Sequence, residues 1–324
     1  MRRPLVLVAL VFSLPAQAVT IDWVAVGNPN NLADTPSTNC WATNCGSVDH
    51  AYYISKYEVT NAQYAEFLNA KASSDPLGLY NESMNSDASN GGITQSGVSG
   101  SFTYAVKLGF ENKPVTYVSF YDALRFSNWL HNGKGNAPTE TGAYTLLGGT
   151  ATPSNGLTVT RNTGPGPGAI TFLTSENEWY KAAYYSPGGV YFNYPAGDDA
   201  TITCALPGAT ANTANCNYVV VAVTEVGAYT GSASPSGTFD QGGNVFEWNE
   251  QMVSGSGRGL RGGNWGIFAG GLAASYPSYV DPAYEGVYVG FRVASLVPEP
   301  GPGLLGMTAV LGLAAWRKRT AKAL

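Results

Sequence analysis

Every segment of this chain with a helical apolar period is short, and each opens at a capping box. Thr60 stands three residues before Gln63, Ser119 three before Asp122, and Ser175 three before Glu178. At that spacing each side chain can accept from the other residue's backbone N–H. Apolar faces follow: Tyr64, Phe67 and Leu68; Ala123, Phe126, Trp129 and Leu130; Trp179, Ala182 and Ala183. Each face ends within about three turns. Helices this short cannot enclose a core among themselves, so strands and irregular backbone must share the work. The strand-like runs are equally brief: Tyr52–Ile54, Val115–Val118, Tyr218–Val223 and Val287–Val293. Stretches 71–110, rich in Gly, Ser and Asn, and 132–170, with its Gly-Pro-Gly-Pro-Gly, predict surface loops or irregular hairpins. Neither a repeat nor an interdomain linker interrupts 19–296. The expected class is α+β, one irregular domain of low regular content.

Composition narrows the choice. Only 12% of the 324 residues are charged, too few for a coiled coil or long bundle. The 20 Tyr and 7 Trp argue equally against disorder. Six of the 17 basic residues lie in the two ends, together with Glu299. The body 19–296 keeps 11 basic against 21 acidic residues, a formal −10. So acidic a body will not hold nucleic acid or an anionic membrane through a basic patch. Two histidines, His50 and His131, rule out a three-histidine metal site.

The ends read as addresses. Residues 1–18 carry Arg2-Arg3, the apolar run Leu5–Leu14 and the small-x-small site Ala16-Gln17-Ala18, which together predict a secretory signal. The run is too short to span a bilayer. At the other end, 297–324 holds Val297-Pro298-Glu299-Pro300, an apolar stretch Leu304–Trp316 and the basic stop Arg317-Lys318-Arg319. This order predicts a transient inner-membrane anchor with its tail in the cytoplasm. It resembles the PEP-CTERM sorting signal of Gram-negative bacteria, which implies an exosortase-type processing enzyme as partner. The resemblance also implies release to the periplasm, outer surface or extracellular matrix. Four exported cysteines are expected to pair in an oxidising compartment. Their spacing favours Cys40–Cys45 and Cys204–Cys216, with pairing between the two regions as the alternative. Neither is a Cys-x-x-Cys.

Six motifs then occur in order: Tyr57-Glu-Val-Thr-Asn-Ala-Gln-Tyr64, Pro114–Ala123, Leu173-Thr-Ser-Glu-Asn-Glu-Trp179, Gly243-Asn-Val-Phe-Glu-Trp248, Leu260-Arg-Gly-Gly-Asn-Trp265 and Gly290-Phe-Arg292. The series resembles the formylglycine-generating enzyme family, also called sulfatase-modifying factors, over about residues 20–295. That resemblance implies a single irregular, C-type-lectin-like α+β domain. Oxidase members of the family oxidise a protein cysteine with oxygen and copper held by two thiolates. The matching positions here are Ile267 and Leu272, which cannot bind soft copper(I). No copper is expected. Iron-dependent relatives use three histidines from an additional domain, which this chain lacks.

A family calcium site is the constellation that remains. The resemblance implies carbonyl ligands at Gly242, Gly243 and Val245 and a carboxylate at Glu247, with Asp240 adding charge nearby. All-oxygen donors suit a hard cation, here a structural Ca2+. A second family site would need an Asp between Asn217 and Val226, and none is present. His50 reads as a loop residue, and His131 as a helix-end cation. Asp198-Asp199 and Glu176/Glu178 are the paired carboxylates open to glycoside chemistry. Glu176 and Glu178 read more simply as first-turn acids. The expected function is a non-catalytic extracellular binding module for matrix polysaccharide or a surface protein. An enzyme of the same family with altered chemistry is the alternative. Tyr184, Tyr185, Tyr191, Phe192 and Tyr194 are either sugar-stacking rings or core.

Overall fold

The computed structural model describes residues 20–36, 39–162 and 171–297. The signal over 1–18 and the sorting segment beyond Val297 lie outside the described residues. No helix among the described residues is long and apolar enough to cross a membrane.

Two four-stranded sheets carry the domain. The first holds β1 (Trp23–Val26), β2 (Tyr52–Ser55), β12 (Val293–Leu296) and β5 (Thr171–Leu173), in that order and antiparallel throughout. The second runs β10 (Ser278–Val280), β9 (Gly257–Arg261), β8 (Phe246–Val253) and β11 (Val289–Gly290). Here β11 joins β8 in parallel, with Val289 opposite Phe246 and Gly290 opposite Glu247. Two small ribbons complete the strands, β3 (Ile93–Ser96) with β4 (Thr103–Val106) and β6 (Thr203–Cys204) with β7 (Thr213–Ala214). Stretch 71–110 is thus a loop region holding one hairpin and the single-turn helix α2 (Ser83–Ser86).

The three capping boxes all form. They launch α1 (Asn61–Lys71), α3 (Phe120–His131) and α4 (Glu176–Tyr184). In α1 the Thr60 amide donates to Gln63 Oε1 at 2.9 Å, and Gln63 N returns a bond to Thr60 Oγ1 at 3.3 Å. The apolar faces of α1 and α3 meet in one aromatic cluster. Phe67 lies 5.5 Å from Phe126 and 5.4 Å from Trp129, and Phe126 lies 5.3 Å from Phe291 just before β12. Burying each such ring stabilises by about 1.5–3 kcal/mol before entropy is counted. This packing fixes the first sheet against the helices and brings Arg292 to the centre.

Two expected strands do not form. Val115–Val118 and Tyr218–Val223 have strand-like composition, but Tyr117 has φ +60° and Asn217, Tyr218 and Val221 have φ of 51°, 58° and 58°. A left-handed residue reverses the chain and cannot continue a ladder. The run Val287–Val293 is also split, into β11 and β12. Both disulfides are local, Cys40–Cys45 and Cys204–Cys216.

Candidate functional site

The positions that match the family's thiolates come together. Gly263 has φ +76°, a conformation that suits glycine. A Cβ placed on it would sit 2.9 Å from Leu272 Cδ1 and 3.0 Å from Ile267 Cγ2. The two side chains therefore close over one glycine, as a ligand pair would. Leu272 ends a 3-10 turn, Ala269–Leu272, and is fully buried with Tyr194, Ile202, Ala214 and Cys216. Ile267 and Cys204 pack on the same cluster. The Cys204–Cys216 bridge thus borders this spot, but its sulfurs are bonded to each other and are not thiolates. Copper does not fit a lining of two branched alkyl chains.

An aromatic face adjoins it. Asn217 N donates to Ile267 O at 2.7 Å and Tyr218 N to Trp265 O at 2.9 Å, so the left-handed loop is fastened across residues 265–267. The Tyr218 and Trp265 rings meet edge-on at 5.5 Å, and Trp265 and Tyr288 lie 4.8 Å apart. Tyr117 N donates to Gly286 O at 3.1 Å, which docks the turn carrying Tyr284 beside Tyr117. The Tyr117 hydroxyl donates to Asp87 Oδ2 at 2.6 Å. Burial, with the Asp87 hydrogen bond, pushes that phenol well above its ordinary value. These residues lie far apart in sequence, and only the tyrosine density of 276–288 hinted at them.

The calcium candidates sit in a buried charge cluster. Glu247 accepts from Arg292 Nε at 2.6 Å, from Arg292 Nη2 at 2.7 Å and from Trp179 Nε1 at 2.6 Å. Both partners of the pair are 0% exposed. Gly243 N donates to Gly262 O at 2.8 Å, and Asn244 Nδ2 to Glu58 Oε1 at 3.0 Å. Asp240 Oδ2 accepts from Gly227 N, and Glu58 Oε2 is buried without a hydrogen-bond partner. Burial, reinforced by Asp240 and Glu247, pushes the Glu58 carboxyl well above the usual range, and burial pushes Asp240 to about 6. Three carboxyls thus surround one guanidinium. Oxygen donors of the type named at Gly242, Gly243, Val245 and Glu247 are those a hard cation takes. Both Glu247 oxygens already accept from Arg292, however, and no group of three or more His, Cys, Asp or Glu among the described residues is placed to hold a metal ion.

The remaining candidates are structural. Glu176 and Glu178, read as first-turn acids, are buried and paired: Glu176 with Arg261, whose Nε lies 2.9 Å from Oε1, and Glu178 with Arg161 at 2.7 Å. Asp198 and Asp199 are exposed loop acids whose side chains cap nearby amides. His50 bridges Asp49 at 2.8 Å and Glu178 at 3.1 Å. The Glu178 bond, outweighing burial and aided by Asp49, raises the imidazole above its usual value. His131 does end α3, but burial lowers its pKa, so it is not the cation expected there. Of the rings at 184–194, Tyr184 and Tyr194 are buried and Tyr185, Tyr191 and Phe192 are half-buried. The first two belong to the interior and the other three lie at its edge.

Comparison with known proteins agrees with this geometry. Residues 25–297 match the sulfatase-modifying factor enzyme 1-like domain. A hercynine oxygenase of Mycolicibacterium thermoresistibile is 30% identical over 158 residues, 40% of this chain and 34% of that protein. The match thus spans about a third of that relative. Among solved structures, CarF superposes with a TM-score of 0.53 at 19% identity, covering 86% of this chain and 99% of its own. A variable protein 1 of Treponema denticola gives 0.50 at 18% identity, with 84% and 94% covered. Identities this low speak to the fold alone. With the domain model spanning nearly all of the described chain, the protein belongs to the sulfatase-modifying factor enzyme 1-like family.

Proposed function

We propose that this chain is a non-catalytic member of its family that works outside the inner membrane as a binding module. One observation carries the reading: Ile267 and Leu272 close over Gly263 where the resemblance expects a thiolate pair. Alkyl carbon offers no lone pair, so neither pH nor reductant can restore a metal ligand there. A copper(I) competition titration on Ile267→Cys, Leu272→Cys and the double variant tests the assignment. Tight binding by the double variant and by neither single one supports it. Equal binding by all three, or by the unsubstituted chain, refutes it.

Export, sorting and calcium belong to the same proposal. Cleavage after Ala18 and again near Pro298–Pro300 by an exosortase-type enzyme would leave the acidic body at the cell surface or in the matrix. Intact mass of the secreted protein decides this, and a full-length C-terminus would sink it. A calcium ion on Gly242, Gly243, Val245 and Glu247 would balance the acid excess around Arg292 and tie β8 to the preceding turn. Its role is structural.

A further inference from the structure

We propose that the aromatic face formed by Tyr117, Tyr218, Trp265, Tyr284 and Tyr288 is a binding site for a neutral polysaccharide. The proposal rests on the reading of the chain as a binding module and names the ligand class and the residues that take it.

Three observations converge on this patch. The first is exposure: Tyr218 is 53% and Tyr284 41% accessible, with Val219 and Val221 beside them on the loop at 40% and 60%. The second is backbone strain. Tyr117 and Tyr218 both have positive φ and both send their phenols here, while Val221, a β-branched residue, has φ +58°. Each left-handed non-glycine residue costs roughly 1–2 kcal/mol. Strain of this kind persists only where surrounding bonds enforce it, and it gathers at functional sites. Here Asn215 Nδ2 holds Ala222 O at 2.8 Å and Asn90 Oδ1 takes Val223 N at 3.0 Å, fastening the loop beyond its tip. The third is an orphan donor. Trp265 is 6% exposed and its indole N–H has no acceptor.

A sugar ring answers all three. Its C–H face packs on an exposed phenol ring, and its hydroxyls both donate and accept. A hydroxyl can accept from the Trp265 N–H, and others can exchange hydrogen bonds with Asp87 and with the Tyr218 and Tyr288 phenols, which bond to each other. An anionic sugar is disfavoured by Asp87 and by the formal −10 of the body. A protein partner also uses tyrosines, and competition by one is an outcome of the binding test.

The test is binding of the full-length chain to soluble laminarin, dextran and galactomannan, with alginate as the anionic control, read by calorimetry and tryptophan fluorescence. At least one neutral polymer should bind in preference to alginate. Tyr218→Ala and Tyr284→Ala should each weaken it by about tenfold, equivalent to about 1.4 kcal/mol. Trp41→Ala, an exposed aromatic elsewhere, should leave it unchanged. Preference for alginate, binding to no neutral polymer, binding that survives both tyrosine variants, or a protein ligand competing for the face would each overturn the inference. None of these outcomes touches the non-catalytic reading, which fails separately if the chain consumes oxygen.

Discussion

Glu247→Gln removes one charge from a pair that has no access to water. Glu247 and Arg292 are each 0% exposed and share two bonds of 2.6 and 2.7 Å, with a third from Trp179. Glutamine keeps the shape, but its amide nitrogen must face an Arg292 N–H in either orientation, and in one of them the Trp179 N–H as well. At least one clash of donors follows whichever way the amide turns. Removing one partner of a buried pair costs about 3–5 kcal/mol because the other charge stays behind. Asp240 and Glu58 lie close enough to Arg292 to influence it, which places the loss near 3 kcal/mol. Against a total stability of about 5–15 kcal/mol, the variant should fold but melt far earlier. Urea unfolding followed by fluorescence, disulfides intact, should show a lower midpoint at unchanged slope. Adding Arg292→Met should restore part of the loss, since the stranded charge goes with it. A loss below about 1 kcal/mol would mean the pair behaves like a surface one, and the reasoning fails. Calcium provides a separate reading. The parent should gain melting temperature as calcium rises and Glu247→Gln should not; an equal response in both refutes the ion's placement.

The pH dependence should have two limbs. Burial would raise the Glu178 carboxyl, but Arg161 and His50 hold it well below its usual 4.5, so its stabilisation is full above 4.5 and is lost as pH falls through the depressed value. The raised His50 imidazolium stabilises fully below 6.5 and loses its contribution as pH rises through its folded value. Urea midpoints should therefore peak between these limits. His50→Gln should flatten the alkaline limb and, since His50 helps Arg161 depress Glu178, shrink the acid limb in part; an unchanged alkaline limb would refute the His50 assignment. Replacing both Cys204 and Cys216 by serine opens a bridge between residues 12 apart and should cost about 2–3 kcal/mol. Since the bridge also packs beside Leu272, no loss at all in the same unfolding assay would contradict its place in the core.

What the sequence disclosed was local. A capping box needs only two residues three apart, so all three helix starts were readable. The thiolate-matching positions 267 and 272 could be found by counting from Gly262-Gly263, although their closure over Gly263 could not. Apolar composition misled at Val115–Val118 and Tyr218–Val223, because nothing local announces that Tyr117, Tyr218 and Val221 are held left-handed by distant partners. The buried arginines were hidden for the same reason. Arg261 meets Glu176 across 85 positions and Arg292 meets Glu247 across 45. The aromatic face is assembled from positions between 117 and 288, and tertiary packing alone brings it together.

The account stands or falls on whether the chain carries the oxidation chemistry that the resemblance implies for members with the thiolate pair. Oxygen uptake should be measured on the purified, disulfide-intact protein with a sulfatase-type cysteine peptide, with and without copper(I). Uptake is expected to stay at background in both conditions. Copper-dependent uptake that requires the peptide would contradict the central claim, and its loss in Cys204→Ser or Cys216→Ser would place the active sulfur in the bridge beside Leu272.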